Sequence, residues 1–283
     1  MNFEREAHAQ YQKAYSLAMM NQLKDKKQGV ATYPVVLDAL LDERMISDRL
    51  DLGVMDIPVN LIVGVAERKE SNQMYTRGFL PIENPNSGFA AKWRSVYQEY
   101  VADQNSREIY CLEYLGKFYV LDGLIDVSVA KFYGANIIKS HIIRIMPVKN
   151  DSATVKRYFD FLVHFRLTKL YQLQFTQPGY FEKLQSALDK EVMMKWSDSD
   201  RTSFLTHWPK IERAFQTSFD NGLNITPADA LVILLEKYSF AQIIRMDSWV
   251  LARIFQTCWK DLYQLSYANR MESEMKGAAR HTA

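Results

Sequence analysis

Residues 119–135, YVLDGLIDVSVAKFYGA, have the pattern of a turn that binds an anion. An apolar strand ends at Asp122 and Gly123, and a short helix follows that ends at Gly134. The first turn of a helix has unpaired backbone N–H groups and the positive end of the helix dipole, so such a turn can hold phosphate. The candidate nucleotide- or phosphate-binding residues of this turn are Asp122, Gly123, Asp126 and Ser128.

Asp126 is an acid at the position where a phosphate is expected to lie, and three interpretations of it remain open. The carboxylate stabilises its own helix by about 0.3 to 1 kcal/mol through the dipole. Alternatively, Asp122 and Asp126 hold a magnesium ion that in turn holds phosphate, since oxygen ligands suit that metal. In the third interpretation the turn binds a cationic or neutral partner. The cofactor is therefore unknown, and a nucleotide with magnesium is the specific candidate.

The motif and its surroundings resemble the ParB/sulfiredoxin superfamily, in which a strand leads into Gly-x-(His/Lys/Arg)-Arg and a helix that begins with small apolar residues. The whole chain is similar to bacterial proteins with a ParB N-terminal (ParB-like nuclease) domain, a group without a well-defined function. The phrases that carry this resemblance are AYSLAMMNQLKDKKQGVATYPVVLD, IPVNLIVG, FAAKW and ITPADALVILLE. The resemblance implies a ParB/sulfiredoxin-like fold for the N-terminal half.

The middle of the motif departs from the family pattern. Gly123 matches the family glycine, but Leu124 and Ile125 replace polar or basic residues, and Asp126 stands where the family arginine contacts phosphate. Sulfiredoxin chemistry needs a cysteine directly after the glycine, so Leu124 excludes that activity. Two unit charges about 5 Å apart interact by roughly 3 kcal/mol at an effective dielectric of about 20. The reversed charge therefore costs several kcal/mol of phosphate binding.

Positive charge is concentrated between Lys139 and Lys169, although the net charge of the 283-residue chain is only +2. This stretch is either a solvated charged face or a surface for a phosphate backbone. The candidate nucleic-acid contacts are Lys139, Arg144, Lys149, Lys156 and Arg157.

The polar loop over residues 66–88 adds a further candidate, Arg77. Its guanidinium group, with Arg68 and Lys69 nearby in sequence, either lies in solvent or reaches over the turn and supplies the missing positive charge. Glu113, in the predicted hairpin, is expected at the surface. The histidines lack the spacing of metal ligands, and the two cysteines lie far apart, so we expect no metal site and no disulfide.

Composition predicts a soluble cytoplasmic protein without a membrane partner. Hydrophobic residues make up 48% of the chain, which indicates a sizeable core. The longest apolar runs are far shorter than the ~20 residues of a membrane-spanning helix. The N-terminal segment carries charges throughout, unlike a signal peptide.

Periodicity predicts an α+β fold class with two domains, a ParB/sulfiredoxin-like domain with an N-terminal helical extension over residues 1–149 and an all-α domain over residues 150–283. Predicted helices include residues 4–28, 35–43, 89–104 and 248–267. Predicted strands are residues 56–64, 109–114, 118–121 and 136–147, of which the middle two form a hairpin. Thr226 and Pro227 predict the start of another helix, with Asp229 completing a capping box.

Three classes of function remain. The first is a ParB-like binding or regulatory protein without catalysis, whose helical domain contacts a protein partner or a second copy of the chain. The second is a nucleotide hydrolase or small-molecule kinase with an altered pocket. The third is a DNA-binding partition or nucleoid factor, for which a more basic chain and a helix-turn-helix after residue 149 would be expected. The reversed charge at Asp126 favours the first class.

Overall fold

The structure is a computed structural model that describes residues 2–103, 107–219 and 223–280. The chain divides into two compact units, Met1–Lys149 and Asn150–Ala283. The first unit combines a β-sheet with helices, and the elements described in the second unit are helices. The prediction of a fold with both α and β structure and with helices in the C-terminal part is confirmed. None of the described helices is long and apolar enough to cross a membrane.

The first unit is built on a mixed sheet of six strands. They are β1 (Val35–Val36), β2 (Ile46–Pro58), β3 (Ile62–Val65), β4 (Ile109–Tyr114), β5 (Lys117–Asp122) and β6 (Ile137–Pro147). Their order across the sheet is β1-β3-β5-β4-β6-β2. The antiparallel pair β4–β5 is the predicted hairpin, and β6 runs parallel to β4 and antiparallel to β2. The hairpin therefore lies in the middle of the sheet, and its second strand leads into the candidate turn.

The predicted strand over residues 56–64 is divided by a 3-10 turn over Val59–Leu61, with its first part in β2 and its last part in β3. The rest of the long edge strand β2 is not predicted by the sequence patterns, because most of its residues are exposed and show no alternation of apolar and polar side chains. It pairs with β6 along its length, with irregularities that include one between Asp51 and Gly53. Gly53 has a φ of 68°, and its N–H donates to the Asp51 carboxylate at 2.8 Å. The predicted helix over residues 35–43 is wrong, since β1 and a 3-10 turn occupy its first half.

Three helices of the first unit pack around an aromatic cluster. They are α1 (Asn2–Lys27), α2 (Gly88–Asp103) and α3 (Leu124–Tyr133). The Trp93 ring is fully buried, meets Tyr11 edge-on at 5.3 Å between centroids and stacks on Tyr97 at 5.5 Å. Phe132 of α3 also meets Trp93 edge-on. The helix of the candidate turn is thus held against α2 by aromatic contacts.

A buried ion pair links the neighbouring strands β4 and β6. Arg144 donates through Nε to Glu113 Oε2, and the N–H of Gly116 donates to Oε1 at 2.8 Å. Glu113 is fully buried and Arg144 is 7% exposed. The expectation of a surface position for Glu113 is wrong, because Ile109, Cys111 and Glu113 share the buried face of β4.

We predict that Arg144→Met lowers the free energy of unfolding by about 3 to 5 kcal/mol, because it removes the guanidinium group that is hydrogen-bonded to the buried Glu113 carboxylate. The matched control is Lys139→Met, an exposed position on the same strand, which should change stability by about 0.5 kcal/mol or less. Urea unfolding of both variants measures the difference. Equal stability of the two variants would show that the Glu113–Arg144 ion pair does not stabilise the fold.

The second unit contains seven helices within its described residues. They are α4 (Ala153–Thr168), α5 (Tyr180–Ala187), α6 (Asp198–Ser218), α7 (Pro227–Leu235), α8 (Phe240–Arg245), α9 (Ser248–Thr257) and α10 (Trp259–Arg280). The predicted start of α7 is confirmed, since Thr226 and Asp229 form a reciprocal capping box. The single helix predicted over residues 248–267 is instead two helices that meet at Cys258. A large apolar core joins most of these helices.

Candidate functional site

The candidate turn begins where β5 ends, and its geometry is set by Gly123. This residue has a φ of 92°, in the left-handed region that side chains rarely adopt. A Cβ atom at Gly123 would lie 2.5 Å from Cγ2 of Ile109, so the position also lacks room for a side chain. The N–H of Gly123 donates to Asp122 Oδ1 at 2.9 Å. The motif glycine is therefore required by the packing of the turn on β4.

We predict that Gly123→Ala destabilises the protein by about 1 to 3 kcal/mol more than Gly134→Ala does, because overpacking is added to backbone strain. Gly134 is a matched control, since its φ is 82° but no atom lies within 4 Å of its ideal Cβ. Chemical denaturation of the two variants measures the difference. Equal losses would mean that conformation alone, and not the contact with Ile109, requires the glycine.

Asp126 fills the first turn of α3 with its own carboxyl group. The residue is 9% exposed, and its Oδ1 atom is buried without a hydrogen-bond partner. Burial raises the pKa of this carboxyl, although its own backbone N–H and the nearby Arg107 lower it in part. Arg107 is itself paired with Glu99 at 2.6 Å. A phosphate bound at this turn would therefore lie beside a carboxylate or would force that carboxylate to take up a proton.

We predict that Asp126→Asn stabilises the protein at pH 7 by on the order of 1 kcal/mol, since the ionised form is the one that burial penalises. The raised pKa makes the wild-type residue most favourable when protonated, and this contribution is lost as the pH rises through the folded-state pKa. The advantage of the variant should therefore vanish below about pH 4. Melting temperatures across this pH range provide the measurement.

The control for this pH dependence is Asp56→Asn, an exposed aspartate on β2. This variant should not be stabilised at pH 7 or below about pH 4, because an exposed carboxylate is not destabilised by burial when it ionises. A constant advantage of Asp126→Asn at all pH values would contradict the assignment to an ionisation penalty.

The other two candidate phosphate-binding residues, Ser128 of the turn and Arg77 of the preceding loop, have different surroundings. Ser128 is fully buried, and its hydroxyl group accepts a hydrogen bond from Trp93 Nε1 at 2.9 Å. The side chain of Arg77 is exposed, and its backbone N–H donates to the carbonyl of Thr32 at 2.7 Å. Burial raises the pKa of the phenol of Tyr75, from the same loop, and the charge of Asp126 raises it further. Tyr75 and Asp126 thus interact electrostatically, which no sequence pattern indicates.

The magnesium interpretation rests on Asp122 and Asp126 alone. Asp122 is exposed and Asp126 is buried. Within residues 2–103, 107–219 and 223–280, no group of three or more His, Cys, Asp or Glu side chains is placed to hold a metal ion.

The five candidate nucleic-acid contacts differ in their surroundings. In the first unit, Lys139 and Lys149 are exposed, whereas Arg144 is buried in its ion pair with β4. In the second unit, Lys156 is paired with an aspartate, and Arg157 lines a cavity. Because Arg144 is nearly inaccessible and already paired, it has no surface to offer a phosphate backbone.

Lys131 is a residue of α3 that sequence reasoning missed. Burial lowers the pKa of its amine to about 8, and its Nζ lies 5.2 Å from the centre of the Phe79 ring. It lines a cavity of about 380 Å³ together with residues of α1 and α2, among them Lys13 and Tyr97. No local pattern marks such a lysine, because its burial arises from the packing of three separate segments.

No protein-family model matches this chain, and no curated protein or solved structure is significantly similar to it. The resemblance to the ParB/sulfiredoxin superfamily stays a prediction that rests on the motif residues.

Proposed function

We propose that the chain is a ParB-like binding or regulatory protein whose β5–α3 turn no longer binds nucleotide phosphate and performs no catalysis. The observation that carries this proposal is the buried carboxyl group of Asp126 in the first turn of α3. It lies beside the backbone N–H groups through which such a turn would hold an anion.

Electrostatics supports the proposal. An ionised Asp126 at about 5 Å from a phosphate charge opposes binding by roughly 3 kcal/mol at an effective dielectric of about 20. Protonation of the carboxyl group removes this repulsion but costs free energy at neutral pH. Arg107 is a cation whose charge acts on Asp126, and it is itself paired with Glu99. The turn therefore lacks a net positive charge for a nucleotide.

The other motif residues serve packing. Gly123 lets the backbone approach Ile109, and Ser128 satisfies the buried indole N–H of Trp93. These contacts stabilise the turn without a ligand. The fold of the turn therefore does not depend on its ability to bind phosphate.

The second unit offers a surface for a partner. Trp259, Tyr263 and Tyr267 follow one another at intervals of four on α10 and are 51%, 54% and 55% exposed. Residues at this spacing lie on one face of a helix, so they form an exposed aromatic stripe. Exposed apolar patches of this type are typical of protein-binding surfaces. This supports a protein partner or a second copy of the chain as the ligand of the helical unit.

We predict that ATP, ADP, CTP and GTP, each with and without magnesium, change the melting temperature of the protein by less than about 1 °C, because a ligand that does not bind the folded state cannot stabilise it. Thermal-shift measurements on the full chain test this, with Asp122→Ala as the comparison variant.

A stabilisation of the wild type that Asp122→Ala abolishes would contradict the proposal and favour a nucleotide-dependent enzyme. DNA binding with an affinity that falls steeply with salt would contradict it in favour of a partition or nucleoid factor.

A further inference from the structure

The second unit contains a cavity of about 360 Å³ between α4 and α5. This volume is at the small end of the range for ligand pockets. Five polar side chains line it, and the first three of them come from one face of α4: Arg157, Asp160, His164, Gln177 and Glu182. The apolar part of the wall includes Phe161, Val163, Phe175 and Pro178. A small pocket with an apolar wall and a few polar groups is the usual form of a site for a small organic molecule.

The charges of this cavity favour a cation. Asp160 and Glu182 carry two negative charges against the one positive charge of Arg157, and the structure records no ion pair for any of the three among the residues it describes. Burial holds the pKa of His164 below its ordinary value, although Glu182 and Asp160 act in the opposite direction. His164 is therefore neutral at pH 7, and the lining carries a net negative charge.

Glu182 gives this charge a specific location. Its Oε2 atom is buried and has no hydrogen-bond donor within the described chain. Buried polar atoms nearly always have a partner, so an unpaired carboxylate oxygen indicates that a compensating group is missing. Glu182 lines the cavity, and its carboxylate charge is shared between two oxygens, so an ammonium group in the cavity would compensate that charge.

The aromatic side chains support the same ligand. Phe161 and Phe175 line the cavity, and Phe175 meets His164 edge-on at 6.1 Å between ring centroids. Aromatic faces attract ammonium groups and also pack against apolar groups. A metal ion is not favoured, since Asp160, His164 and Glu182 do not form a group placed to hold one within the described residues.

We propose that this cavity binds a small organic molecule that carries a protonated amine, with Glu182 and Asp160 receiving the ammonium group and the aromatic wall holding an apolar body. The inference goes beyond the proposed function and does not depend on it, because no residue of the β5–α3 turn takes part.

The test compares two probes with the same ring and opposite charge, phenethylamine and 3-phenylpropionate, by isothermal titration calorimetry on the full chain. Phenethylamine should bind at least about tenfold more tightly than 3-phenylpropionate. Glu182→Gln keeps the shape of the side chain and should weaken phenethylamine by about tenfold or more. Glu191→Gln, an exposed position in the same unit, is the matched control and should leave the affinity unchanged.

Asp160→Asn is a second test that does not depend on the folding of Glu182→Gln. Asp160 is exposed and lines the cavity, so its substitution should not disturb the fold. It should retain the wild-type melting temperature and weaken phenethylamine by about threefold. The proposal is overturned if phenethylamine gives no binding at about 10 mM, if both probes bind equally, or if neither Glu182→Gln nor Asp160→Asn changes the affinity. The nucleotide measurements on the first unit have no bearing on these outcomes.

Discussion

The close contact between the Gly123 backbone and Ile109 determines where α3 begins, and the arrangement of the candidate turn depends on it. Because the helix starts directly after β5, its next residues enter the interior of the first unit, and Asp126 and Ser128 are buried within two turns of the start. Ser128 then meets Trp93 at the centre of the aromatic cluster, which fixes the helix against α2. A turn packed in this way has little freedom to rearrange around a ligand, so Asp126, the third residue of α3, determines which groups the backbone N–H groups can bind.

The elements with strong local signals could be predicted from the sequence. The β4–β5 hairpin, α3 between its two glycines, and the start of α7 at Thr226 are each specified by turn or capping residues within a few positions of one another. Most of the edge strand β2 could not be predicted, because its stability comes from pairing with β6, far along the chain, and not from an apolar pattern of its own. The burial of Glu113 could not be predicted either, since the alternation of side chains shows that a strand has two faces but not which face is buried.

In the candidate site, the sequence identifies individual residues but not the contacts that they make in the folded chain. Asp126 and Gly123 could be singled out from the motif, but the contact with Ile109 that gives the glycine its role arises only when β4 and β5 pair. Tyr75, which interacts electrostatically with Asp126, belongs to a separate loop earlier in the chain. The cavity of the second unit unites His164 with Glu182, which belong to different helices, so no spacing in the sequence marks it. Side chains that meet only through tertiary packing cannot be predicted from local sequence patterns.

The irregular pairing of β2 has a consequence for how the protein behaves in a crowded solution. A straight strand of thirteen residues at the border of a sheet would expose a regular row of N–H and C=O groups, on which a second chain could build an intermolecular ladder. The left-handed Gly53 interrupts this row, and the many charged side chains along the strand make such stacking unfavourable. The chain thus carries protection against polymerisation in the same segment that its sequence pattern leaves inconspicuous.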